Sequence, residues 1–150
     1  MPEVYVSIGS NIEPKININR TKSELNKLFN CKFSKDYCYP SEGFEGKDFT
    51  NLVASFSTEI NVKDLKDIFK RIEGEVGRDS SQAGFTDRVI DIDIILYGML
   101  ILDADYLTLP SPEIENYLFV LEPLVEIAGN SRHPVTGERY KDILRNREVK

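Results

Sequence analysis

Arg88-Val89-Ile90-Asp91-Ile92-Asp93-Ile94-Ile95-Leu96-Tyr97 is the stretch from which the rest of the chain is read. Its aliphatic residues demand a buried strand. Side chains alternate faces along a strand, so Ile90, Ile92 and Ile94 point one way and Asp91 and Asp93 the other. Asp is depleted in strands. Two carboxylates on one face, about 7 Å apart along the strand, repel each other unless water or a cation lies between them. Such a pair suits Mg²⁺, which takes one or two protein carboxylates and completes its shell with water and phosphate oxygens. A strand whose outer face is simply solvated is the alternative on the pair alone.

Working outward, Val4 to Ile8 reads as a strand ended by Gly9-Ser10-Asn11, a phosphate-approaching turn or only a strand exit. A helix is expected from Lys15 to Leu28, with Ile18, Leu25 and Leu28 on one face. A second strand is expected around Lys32 to Tyr37, a loop from Tyr39 to Asp48 marked by Pro and two Gly, and a strand from Asn51 to Ser57. Asn61 is placed to cap a helix from Val62 to Val76, whose buried stripe is Val62, Leu65, Ile68, Phe69, Ile72 and Val76. Gly77 to Asp87 is polar and without periodicity, and reads as a mobile lid. Beyond Gly98 come short apolar pieces, a helix near Leu121 to Ala128, a turn at His133-Pro134-Val135-Thr136-Gly137 and a last short helix. The order β-α-β-β-α-β predicts a ferredoxin-like α+β sandwich, an antiparallel sheet with helices packed on one face. The other face is then open to a site.

The chain has 150 residues, 41% of them apolar, and a formal net charge of −6. That length predicts one domain over residues 1–150 with a real core. The charge argues against a general nucleic-acid or membrane-surface binder. No apolar run approaches the ~20 residues that span a bilayer. Met1 to Val6 enters a strand pattern directly, without a signal-peptide layout. Cys31 and Cys38 read as reduced thiols. The expectation is a cytoplasmic monomer.

Arg78 and Arg88 flank the polar loop beside the two carboxylates, an arrangement suited to a polyphosphate, because Arg matches phosphate oxygens in bidentate fashion. Pairing with Asp79 and Asp87 is the alternative. Phe49, Asn51, Phe85, Tyr117 and Phe119 are candidates for a flat ring pocket, in which aromatics sandwich a heterocycle and the Asn amide pairs with its edge. Core packing is the alternative for each ring. Glu73 is a candidate ribose or metal contact; a merely solvent-exposed helix Glu is the alternative. His133 is the only histidine, which leaves little for a Ser-His-Asp triad or a zinc site.

Taken together, these motifs resemble the 6-hydroxymethyl-7,8-dihydropterin pyrophosphokinase family of folate biosynthesis. The resemblance runs nearly end to end. It includes Gly9-Ser10-Asn11, Phe49-Thr50-Asn51, Arg71-Ile72-Glu73, Gly77-Arg78, the specific Arg88-x-x-Asp91-x-Asp93 core, Tyr97-Gly98, Leu109-Pro110, Phe119, Glu122-Pro123-Leu124 and His133-Pro134-Val135-Thr136-Gly137. It implies ATP, two Mg²⁺ ions and attack of the pterin hydroxymethyl oxygen on the β-phosphorus, with AMP leaving. By the same resemblance Asp91 and Asp93 hold metal, and Arg78 and Arg88 bind phosphates. Asn51 reads the pterin edge, Phe49 and Phe119 flank the ring, and Gly43 and its loop offer backbone contacts. Glu73 and Ser111 fall on the ATP side.

The chain departs from the family pattern mostly on that side. Ser80-Ser81 replaces a basic loop, Phe85 a Trp, Thr86-Asp87 a Gly-Pro, Ser111-Pro112 a His-x, and Tyr117 an Arg. Tyr106 stands near a frequent Arg, and Ser41-Glu42 alters the pterin loop. The expectation is ordinary pterin affinity with weak ATP affinity and turnover. The alternative is a divergent paralogue that binds a pterin or nucleotide with little or no transfer.

Overall fold

Strand β1 (Glu3–Ser10) is the axis of the sheet. It pairs antiparallel with β4 (Phe49–Ser57) on one side and with β5 (Asp91–Tyr97) on the other. Two short strands, β2 (Lys32–Phe33) and β3 (Tyr37–Tyr39), follow one another along the far edge of β4. The computed structural model describes residues 1–39, 48–77 and 89–149. A single second strand was the expectation for Lys32 to Tyr37. It is instead divided at Ser34, whose hydroxyl accepts the Val53 N–H at 2.9 Å while its own N–H donates to the Val53 carbonyl at 2.8 Å. A side chain there takes over part of the ladder, and the chain swings out before pairing again at Tyr37.

Helices α1 (Pro14–Leu28) and α2 (Val62–Val76) cover one face. They bury Val4, Val6, Ile8, Leu52, Ala54, Phe56, Ile92 and Ile94 against Ile18, Leu25, Leu65, Phe69 and Ile72. The Asn61 cap holds: its side chain accepts the Asp64 N–H at 2.9 Å. Leu28 does not join the core and is 49% exposed. The next residue takes that place, the Phe29 ring stacking on Phe56 at 4.1 Å.

A hairpin of β6 (Leu102–Ala104) and β7 (Leu107–Leu109) leads to three C-terminal helices: α3 (Glu113–Asn116), α4 (Leu118–Ala128) and α5 (Tyr140–Val149). These cover one end of the opposite sheet face, over Val53, Ile95 and Leu96. A register shift between Tyr5 and Val6 lets both Ile95 and Leu96 reach that second core. The fold is the expected ferredoxin-like α+β arrangement, with a second, partial helical layer added. What that layer leaves is a polar end of the sheet carrying Gly9, Asn51, Asp91 and Asp93.

His133 is built into the turn that precedes α5. Its Nδ1 accepts the N–H groups of Val135 and Thr136 at 3.1 and 3.2 Å, and Gly137, at φ 74°, closes the turn. The ring proton is therefore on Nε2. That atom is 3.2 Å from a Glu115 carboxylate oxygen but off the hydrogen-bond line, so it is buried without a hydrogen bond. Among the described residues no helix is long and apolar enough to cross a membrane.

Candidate active site

The site is a lateral row across three strands. Gly9 on β1 faces Asn51 on one side and Asp91 on the other, while Ser7 faces Asp93. Partners across a ladder share a face. Asp91 and Asp93 therefore project together, as their spacing predicts, and Asn51 and Phe49 share their side. Two strand spacings put Asn51 and Asp91 about 10 Å apart.

Asp91 and Asp93 are both half-buried and their carboxyl groups contact each other. Burial first, then the negative charge and hydrogen bond of Asp91, pushes Asp93 up to about 8; Glu113 and Glu73 add to it. Glu113, at the start of α3, is raised by burial and then by Asp91. Ser111 holds this corner in place. Its N–H donates to the Ile95 carbonyl at 3.0 Å and its hydroxyl accepts the Glu113 N–H at 3.2 Å. Glu73 reaches from α2 to accept the Ile92 N–H at 2.7 Å. It thereby satisfies an outward main-chain donor of edge strand β5, between the two aspartates.

Among the described residues no Lys or Arg forms an ion pair with Asp91, Asp93 or Glu113. No group of three or more His, Cys, Asp or Glu is arranged as a metal site among them either. Mg²⁺ asks less of a protein: one or two hard carboxylate oxygens suffice, with water and substrate supplying the rest. Two carboxylates pressed together without a described counter-charge fit that requirement.

At the other end of the row, Gly9 is explained by Asn51. A Cβ on Gly9 would stand 2.6 Å from the Asn51 Oδ1 and 3.9 Å from the Phe49 ring. The missing side chain lets the Asn51 amide lie across β1. The turn reading of Gly9 gives way to this one, since β1 continues through Ser10. Phe119, half-buried, stacks on Tyr117 with centroids 4.9 Å apart and meets Tyr39 edge-on at 6.3 Å. Tyr39 faces Phe49 and Tyr37 faces Asn51 across the β3–β4 ladder.

The structure thus groups Asp91, Asp93, Glu73 and Ser111 at one end, and Phe49 and Asn51 at the other, with Phe119 and Tyr117 joined to the second group through Tyr39. Arg78, Arg88, Gly43, Ser80, Ser81 and Phe85, and nearly all of the expected lid, lie outside the described residues. Sequence reasoning missed Glu113, Tyr37 and Tyr39. For Glu113 the local sequence holds no signal, because the β6–β7 hairpin brings it back to β5. For the tyrosines one existed: their alternation around Cys38 is a strand pattern.

Residues 5–129 match the profile of a family described as 7,8-dihydro-6-hydroxymethylpterin-pyrophosphokinase. The 2-amino-4-hydroxy-6-hydroxymethyldihydropteridine pyrophosphokinase of Aquifex aeolicus is 32% identical over 146 residues, covering 95% of this chain and 91% of that protein. The folic acid synthesis protein fol1 of Pneumocystis carinii is 34% identical over 138 residues, 89% of this chain. The chain spans only 18% of that relative's length and 22% of a folic acid synthesis protein of Dictyostelium discoideum. Among solved structures, Plasmodium falciparum HPPK-DHPS with pterin and p-hydroxybenzoate superposes with a TM-score of 0.74 at 13% identity, covering 97% of this chain and 43% of that one. At that identity the likeness speaks for the fold.

Proposed function

The chain belongs to the 7,8-dihydro-6-hydroxymethylpterin-pyrophosphokinase family. On that premise we propose that it transfers the pyrophosphoryl group of ATP to 6-hydroxymethyl-7,8-dihydropterin, giving the pterin diphosphate and AMP for folate synthesis. The observation that carries the residue assignment is the Asn51–Gly9–Asp91 row, with a ring-reading amide and a carboxylate pair on one sheet face. The row's length of about 10 Å spans a pterin ring and the phosphorus that its hydroxymethyl oxygen attacks.

Each residue then has a task. Asn51 pairs with the donor–acceptor edge of the pterin, and Phe49 and Phe119 flank its ring, while Gly43 is assigned a backbone contact from the sequence alone. This fixes the hydroxymethyl oxygen in line with the β-phosphorus, so that the new P–O bond forms as the bridge to AMP breaks. Positioning of this kind, together with electrostatic stabilisation, supplies almost all of phosphoryl-transfer catalysis. Asp91 and Asp93 are the residues that hold Mg²⁺, two ions by the family pattern, and when bound the metal supplies charge to offset the polyphosphate. Glu73 keeps β5 in register with α2 and borders the nucleotide, and Ser111 stands on the same side. Arg78 and Arg88 are assigned to the phosphates from the sequence alone. We take residues 1–150 as one such domain, acting as a cytoplasmic monomer. Two free cysteines accord with that compartment.

Product identity tests the reading. With ATP, Mg²⁺ and the hydroxymethyl pterin, mass spectrometry is expected to find AMP and a pterin gaining two phosphates. ADP with a pterin gaining one phosphate would replace pyrophosphoryl transfer by simple phosphorylation. The binding-only alternative requires neither product, and no relative described above favours it.

A further inference from the structure

Strand β3 has only three residues, pairs with the edge of β4, and yet carries two rings that face the pterin side. So short an edge strand is weakly held by its own ladder. Two glutamates on α4, four residues apart and therefore one turn above each other, supply what the ladder lacks. The Tyr37 hydroxyl donates to Glu126 Oε1 at 2.7 Å. The Lys35 N–H donates to both oxygens of the same carboxylate, at 3.1 and 3.2 Å. One turn earlier, the Tyr39 hydroxyl donates to Glu122 Oε1 at 2.9 Å. These are hydrogen bonds to ionised acceptors, the strong class.

The rungs meet the site at defined points. Tyr37 is the ladder partner of Asn51 and Tyr39 that of Phe49, and Tyr39 also meets Phe119 edge-on. Fixing the two hydroxyls on α4 therefore fixes the rings beside the amide that reads the ligand edge and the phenyl that flanks its face. We propose that Glu122 and Glu126 are positioning residues, forming a two-rung latch that holds β3 and its tyrosines against the pterin half of the site. This rests on the pterin reading given above. The phenols remain donors throughout the working range: burial and then Glu126 push Tyr37 up to about 12, and burial and then Glu122 push Tyr39 up as well.

Tyr39→Phe removes one rung and keeps the ring. Glu122→Ala removes its acceptor, and Glu122→Gln keeps an acceptor oxygen. The loss of a bond to a charged partner corresponds to about tenfold or more in an equilibrium constant. Tyr39→Phe and Glu122→Ala are expected to raise the KM for the pterin about tenfold, leave the KM for ATP unchanged, and leave kcat within about twofold. Glu122→Gln is expected to recover most of the loss. A parallel titration of each protein with the pterin, in the presence of Mg²⁺ and a non-hydrolysable ATP analogue, reads the same loss without turnover. An unchanged pterin KM in Tyr39→Phe, or equal rises in both KM values with a fall in melting temperature, would overturn the latch. A wild-type protein that neither turns over nor binds the pterin would overturn the function reading and the latch together.

Discussion

The two ends of the row of residues on the sheet are held in opposite ways. At the ring end every described carboxylate has donors: Glu126 takes the Tyr37 hydroxyl and the Lys35 N–H, and Glu122 takes the Tyr39 hydroxyl. At the acidic end Asp91 and Asp93 face each other, with Glu113 adding to the repulsion. The first end is organised before any ligand arrives. The second has no Lys or Arg partner among the described residues, and burial together with Asp91 favours the protonated form of Asp93 there. On the proposed reading, pterin recognition rests on packing and phosphate recognition on an imbalance of charge.

The largest effect that would break this contrast is at Asp93. Asp93→Asn is expected to lower AMP formation by at least about a hundredfold, as the loss of one group stabilising a developing charge does. Above pH 8, where Asp93 is ionised in the metal-free protein, the same change removes a buried like charge, and the metal-free protein is expected to melt about 3 °C higher there. A variant that loses activity and also loses stability would show that the pair is structural.

Next in size is the pH dependence. Burial and then Asp91 push Asp93 up to about 8 in the folded chain, against about 4 when unfolded. Between those values the folded state holds the extra proton, so the stability of the metal-free protein falls as pH rises from about 4 to about 8. A cation held by the ionised pair opposes that fall. The melting-temperature gain from Mg²⁺ is therefore expected to be small at pH 5 and larger at pH 8, and a gain that shrinks with pH contradicts the charge account.

Gly9→Ala probes the ring end. Its Cβ would enter the space of the Asn51 amide, so the pterin KM is expected to rise about tenfold, the worth of one displaced hydrogen bond. The KM for ATP should stay unchanged. The smallest expected effect is at Tyr117, which is 40% exposed. Tyr117→Arg puts back the cation that the family pattern has at this position, here stacked on Phe119 beside the ring group, and is expected to lower the KM for ATP about threefold, in keeping with an exposed charge. No change there would remove the link between this departure and weak ATP binding.

Much of this was legible from local pattern. The period-two alternation placed Asp91 and Asp93 on one face, and Asn61 marked the start of α2. Glu73 was legible as a site-side residue but not as the acceptor for the Ile92 N–H, since that contact depends on how α2 crosses β5. Gly9 looked like a turn because a strand glycine acquires its meaning only from the partner opposite. The latch joins residues more than eighty positions apart, and no local periodicity encodes such a meeting. Tyr39 was read as loop because Pro follows it, whereas the tyrosine still completes the ladder.

The most direct measurement of the central claim is AMP release by the wild-type chain, run with all components and with each left out in turn. The expected result is AMP formation that requires 6-hydroxymethyl-7,8-dihydropterin and Mg²⁺ together with ATP, and that saturates with the pterin at lower concentration than with ATP. AMP formation indifferent to the pterin, or none in the complete mixture, would contradict it.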